Sequence, residues 1–210
     1  MIPAPYLLYL GGTADPLSIK TSRGVAEFRP EDCVGEFRRD ESPLTLGLKR
    51  LTMAEAAAAG ARTMILGIAG AGGRMGPDLI QDAAAALEAG MNVASGLHHR
   101  LRDQPRLVAL AQERGLNLFD VRDPPHDLTV GNGTKRAGKR LLTVGTDCSV
   151  GKMYASLALV RGLQARGQPA DFRATGQTGI MIAGGGVAVD AVVADFISGA
   201  VERLAPARHD

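Results

Sequence analysis

Gly145-Thr146-Asp147-Cys148-Ser149-Val150-Gly151-Lys152-Met153 is the stretch on which the reading of this chain turns. It stands between a short apolar run, Arg140–Val144, and a helical pattern, Gly151–Arg166, that stops at Gly167. A strand, a glycine-rich turn and a helix form the setting in which backbone N–H groups converge on phosphate oxygens, and the helix dipole adds to the attraction. Lys152 supplies a point charge at the phosphates. All nine residues are therefore read as cofactor-binding. Two departures from the common phosphate-loop pattern qualify what is bound. Five residues separate Gly145 from Gly151, where the pattern has four. Met153 also replaces the Ser or Thr whose hydroxyl would ligate Mg²⁺, and a thioether is a poor ligand for that ion. The loop points to phosphate binding more strongly than to Mg²⁺-dependent hydrolysis.

On either side of this stretch, apolar runs alternate with helical patterns. Tyr6–Leu10 reads as a buried strand ending at Gly11-Gly12. Thr52 opens a helix with Glu55 completing a capping box, and Gly60 ends it. Met64–Ala69 is a strand, and Pro77 starts a helix that runs to Glu88 and stops at Gly90. Met91–Ser95 and Leu116–Val121 are further strands, with a helix between them that Asp103 caps and Gly115 ends. This alternation predicts an α/β fold with parallel sheets. It gives an N-terminal Rossmann-like domain over residues 1–125, a Pro/Gly/Asn-rich linker over 126–138, and a P-loop NTPase-like domain over 139–210. The second domain has room for about two strands and two helices, fewer than a mononucleotide-binding sheet needs, so it reads as incomplete at its C-terminus. Val189, Val192, Val193, Phe196, Ile197, Ala200, Val201 and Leu204 recur at helical spacing, which places Asp190 and Asp195 on a helix and leaves no Walker-B strand.

Composition excludes several functions. Apolar residues at 45% support a real core, while a net charge of +2 is too small to attract nucleic acid in bulk. Trp is absent and aromatics are only 4%, which argues against base-stacking surfaces. No apolar run reaches the length of a membrane span, and the N-terminus lacks a basic leader. Cys33 and Cys148 form neither a disulfide framework nor a metal-ligand spacing. The expectation is a cytoplasmic, homo-oligomeric protein that binds no metal, nucleic acid or membrane. The glycine loop Gly70–Gly76 reads GxGxxxG, one residue longer than the dinucleotide fingerprint, and no acidic residue follows the next strand to hold a ribose. It reads as a tight turn into a packed helix or a substrate-facing loop.

The runs GTDCSVGKM, FRATGQTGIM and VAVDAVVADFISGAVE, with GIAGAGGRMGPD and ASGLHHRL upstream, resemble the DgcN-type D-glutamate N-acetyltransferase family, long catalogued as a domain of unknown function. The resemblance covers nearly the whole chain, and the family's members are longer. The loop is also similar to that of dethiobiotin synthetases. The family resemblance implies acetyl-CoA as acyl donor and an acidic amino acid, D-glutamate, as acceptor. Coenzyme A carries a pyrophosphate that a phosphate loop can hold without a Mg²⁺-ligating hydroxyl. His98 and His99 follow a strand's carboxyl end, where α/β sites gather, and either is a candidate base for a substrate ammonium. Arg74, Arg100 and Arg173 are candidate carboxylate partners, with Thr175 and Gln177 as hydrogen-bonding groups. Two other readings stay open: an ATP-dependent ligase or kinase that uses a nucleoside triphosphate, and a non-catalytic nucleotide-binding regulator.

Overall fold

The computed structural model describes residues 2–69, 74–147 and 150–206. The chain divides into two compact units, Met1–Asp123 and Pro124–Asp210. The first holds a five-stranded parallel sheet made of β1 (Tyr6–Gly11), β2 (Cys33–Arg38), β3 (Thr63–Leu66), β4 (Asn92–Ser95) and β5 (Leu118–Asp120), in the order β2-β1-β3-β4-β5. Helices α1 (Lys20–Phe28), α2 (Met53–Ala58), α3 (Pro77–Glu88) and α4 (Pro105–Arg114) connect the strands. Every residue of β1, β3 and β4 is buried, as expected of central strands covered on both faces. Leu7, Tyr9, Met64, Leu66, Leu87, Val93 and Leu107 belong to the main core. The strand order reverses between β1 and β3, and open α/β sheets take ligands at the strands' carboxyl ends beside such a point.

Local signals act largely as the sequence predicts. Thr52 Oγ1 accepts from the Glu55 amide at 3.2 Å, and Glu55 Oε2 accepts from the Thr52 amide at 2.8 Å, which closes the capping box of α2. Pro77 occupies the first turn of α3. Asp103, by contrast, does not cap α4. It ends a 3₁₀ turn, Leu101–Asp103, and Gln104 takes the cap position because Pro105 sets where the helix begins. Three strands are also shorter than their apolar runs. In the first unit the sequence predicts neither α1 nor the edge strand β2.

The second unit differs more from expectation. It contains α5 (Lys152–Gln164), α6 (Gln177–Ala183) and α7 (Ile197–Leu204). The strand expected at Arg140–Val144 is not formed, and the parallel sheet expected around it is absent among the described residues. Only an isolated bridge, Ala174 to Gly186, stands in its place. Leu141, Leu142 and Val144 are 73%, 79% and 80% exposed, so the apolar run has no neighbour with which to build a ladder. The continuous helix expected over 189–204 is also a correction. Val192 and Val193, with ψ of 136° at both, separate one 3₁₀ turn, Val189–Ala191, from a second, Ala194–Phe196, which runs directly into α7. β-Branched side chains disfavour helix, and the apolar period survives as packing. Val187, Val192 and Ala200 form a small core with Leu128, Phe196 and Leu204 against it. Asp190 and Asp195 therefore sit on the 3₁₀ turns. No helix among the described residues is long and apolar enough to cross a membrane.

Candidate functional site

In the first unit, candidate residues gather at the carboxyl ends of β4 and β5. β4 ends at Ser95, whose Oγ accepts from the Leu97 amide at 3.1 Å. Arg122 Nε donates to the Gly96 carbonyl at 2.6 Å. Burial lowers the pKa of Arg122, yet from so high a starting value the guanidinium stays charged. Leu97 and Leu101 are buried, and between them His98, His99 and Arg100 are exposed. The structure thus places both histidines and Arg100 on one short loop. The Asp120 carboxylate accepts from the Leu101 amide at 2.7 Å, the Arg102 amide at 3.2 Å and Arg102 Nε at 3.1 Å. Asp123 takes Arg102 Nη2 at 2.6 Å and pairs with Arg100 Nε at 2.7 Å. The Arg100 side chain therefore carries an ion pair already.

Arg74 is exposed just before α3. Gly70, Gly72 and their neighbours in 70–73 lie outside the described residues. Asp120, Asp123 and Arg122 are absent from the sequence-derived candidates. Asp120 could have been found, because it stands at the carboxyl end of a predicted strand.

In the second unit, the phosphate loop leads into α5, whose N-cap is Gly151 with φ of +98°. That left-handed conformation suits glycine and turns the chain sharply into the helix. Lys152 Nζ donates to the Asp147 backbone carbonyl, so the ammonium is folded onto the mouth of its own loop. Thr143 Oγ1 donates to the Lys152 carbonyl at 3.1 Å and lies 2.7 Å from Ser156 Oγ, which ties the segment before the loop to the first turn of α5. Gly145, Thr146 and Val150 are exposed, while Lys152 and Met153 are half-buried. Cys148 and Ser149 lie outside the described residues.

The remaining candidates surround α6. Thr175 and Gln177 flank its N-cap, Gly176, and the Thr175 carbonyl accepts from the Val189 amide at 3.1 Å. Arg173 pairs with Asp171 at 2.6 Å. Among the described residues no cluster of His, Cys, Asp and Glu could hold a metal ion.

Three comparisons bear on this geometry. The chain is 48% identical over 210 residues to a D-glutamate N-acetyltransferase of Tritonibacter scottomollicae, covering 100% of this chain and 63% of that one. It is 49% identical over 205 residues to a protein of the same name from a Pseudoalteromonas species, covering 98% of this chain and 62% of the relative. It therefore spans about three-fifths of the length of these curated relatives. The crystal structure of a DUF1611 family protein from Anabaena variabilis superposes with a TM-score of 0.81 at 34% identity, over 96% of this chain and 61% of the other. Family models divide the chain where its two kinds of architecture divide. Residues 35–124 match the DUF1611 N-terminal Rossmann-like domain, residues 129–210 match the DUF1611 C-terminal P-loop domain, and the chain belongs to the DUF1611 family.

Proposed function

We propose that the protein is an N-acyltransferase that moves an acetyl group from acetyl-CoA to the amine of an acidic amino acid, D-glutamate. The observation that carries this reading is the 48–49% identity, along essentially the whole chain, to two relatives named for that reaction. The local chemistry supports it. A Lys152 ammonium at the N-terminal end of the thirteen-residue α5 suits a pyrophosphate, which the CoA moiety carries. Met153, where a Mg²⁺-ligating hydroxyl would stand, suits a nucleotide that is bound and not hydrolysed.

In the proposed step the amine nitrogen attacks the thioester carbonyl, a C–N bond forms and the C–S bond breaks. His98 or His99 takes the ammonium proton, and the released thiolate is protonated to CoA. Transfer is direct, with no acetyl-enzyme intermediate. Arg74 and Arg100 on the first unit are proposed as partners for an acceptor carboxylate; on the second unit Arg173 is proposed for the same chemistry, with Thr175 and Gln177 as hydrogen-bonding groups.

Thiol release from acetyl-CoA, measured with each amino acid and confirmed by product mass, tests the reading. Stimulation by D-glutamate or a close acidic amino acid is expected, and its absence from folded protein would overturn the proposal. Lys152→Ala should weaken CoA binding in calorimetric titration roughly ten- to a hundredfold, the scale of losing one charge-assisted hydrogen bond. Robust Mg²⁺-dependent phosphate release from ATP would instead favour a ligase or kinase.

A further inference from the structure

The loop that carries His98 and His99 is held from outside itself, by the end of β5. We propose that Asp120 is the positioning residue of this loop: its carboxylate fixes where the histidine pair stands and so preforms the proton-accepting site. The inference rests on the reading of His98 or His99 as that acceptor.

Burying a carboxylate is unfavourable unless hydrogen bonds compensate it. The Asp120 side chain is only 4% exposed. Its three donors all come from Leu101 and Arg102, immediately beyond the histidine loop. Capturing two successive backbone amides fixes the direction in which the chain enters the Leu101–Asp103 turn. The other end of the loop is fixed by Ser95 Oγ on the Leu97 amide and by Arg122 on the Gly96 carbonyl. Residues 98–100 thus bridge two anchored, buried leucines with little slack. Asp123 extends the brace, because it holds Arg102 and orients Arg100 beside the histidines. A solvent-exposed link between β4 and α4 needs no buried anionic anchor at its foot, whereas groups that must meet a reacting atom gain from being fixed in place.

The test is Asp120→Asn. It preserves size and one acceptor oxygen but removes the charge and sets an amide donor against Arg102 or a backbone N–H. Hydrogen exchange at the Leu101 and Arg102 amides should accelerate about tenfold or more, with Ala94 in β4 unchanged. The kcat/KM for D-glutamate should fall roughly ten- to a hundredfold, the scale of a small misplacement of a catalytic group, with the KM for acetyl-CoA unchanged. Arg102→Ala, which keeps both backbone contacts to Asp120, should give the smaller fall in kcat/KM and serves if the Asn variant fails to fold. Unaltered exchange in the folded Asn variant overturns the inference, as does faster exchange with unaltered kcat/KM. His98→Asn and His99→Asn are measured alongside. If both, singly and together, keep full turnover, the histidine reading itself has failed. If they are inactive while Asp120→Asn is normal, only the positioning role has failed.

Discussion

Asp82→Ala should destabilise the first unit by about 1–3.5 kcal/mol, chiefly by stranding a buried hydroxyl. Asp82 lies on α3 and is buried. Its carboxylate accepts from Tyr9 Oη at 2.7 Å, Arg39 Nε at 2.9 Å and Arg39 Nη2 at 3.1 Å. Tyr9 is 2% exposed, with its ring stacked on Phe37 at 5.7 Å. Removing the acceptor leaves that hydroxyl without its carboxylate, at about 1–3 kcal/mol. Arg39 is partly exposed and keeps its contacts to Asp78, so its share is about 0.5–1 kcal/mol after solvent screening. Alanine's better helix propensity offsets about 0.5 kcal/mol. Urea unfolding followed by tyrosine circular dichroism, with an unchanged m-value, measures the net effect. A double-mutant cycle with Tyr9→Phe isolates the cause. In the Phe background no hydroxyl is orphaned, so Asp82→Ala should cost at least about 1 kcal/mol less. If the two substitutions add to within about 0.5 kcal/mol, the orphaned-hydroxyl argument is wrong.

Burial, reinforced by Asp82, raises the Tyr9 pKa well above the tyrosine range. Its contribution is therefore complete below about pH 10, where the unfolded phenol begins to ionise, and is lost as pH climbs towards the folded value. Tyr9→Phe should flatten the fall of the urea midpoint above that pH, and parallel curves for the two proteins would refute this. Burial pushes the Cys33 thiol up to about 11. Peptide-mapped alkylation at neutral pH should accordingly be roughly a hundredfold slower at Cys33 than at a free cysteine, in proportion to thiolate; labelling at the free rate would count against it. Gly67→Ala should lose folded protein in expression and melting assays, because a Cβ there would lie 1.8 Å from Ser22 Oγ and 2.6 Å from the Ser22 amide nitrogen. Ser22→Ala removes only the first clash, so full rescue by it would refute the backbone part of the argument.

The fold of the first unit was legible where one local cause dominated. β1, β3 and β4 are short apolar runs that become central strands, and Thr52 with Glu55, or Pro77 alone, sets a helix start by its own hydrogen bonds or fixed φ. β2 escaped because its sequence, CVGEFR, is not an apolar run. Its Glu36 is fully buried and accepts from the Leu46 amide at 2.7 Å, a tertiary reason for a charge that no periodicity reveals. α1 escaped because KTSRGVAEF buries Thr21, Ser22 and Gly24 together with Val25. Small polar residues there permit close approach, as Ser22 does at Gly67.

The candidate sites divide along the same line. The phosphate loop is a local motif, so the helix it opens could be read directly, and the Gly151 turn into α5 follows from one backbone conformation. The apolar run before it could not decide its own fate, because a strand exists only when another strand pairs with it; Leu141, Leu142 and Val144 have the composition of a strand without a ladder. The histidine loop shows the converse. His98 and His99 are visible as residue types at a strand end, but the anchor of their loop is Asp120, nineteen residues beyond Leu101 in sequence and 2.7 Å from its amide. Spacing along a chain cannot encode that closure, which is created by the β4–β5 pairing that aligns Ser95 with Asp120. An acidic residue at the carboxyl end of one parallel strand, beside a histidine loop leaving its neighbour, is therefore the pattern to seek when a site of this kind is read from sequence.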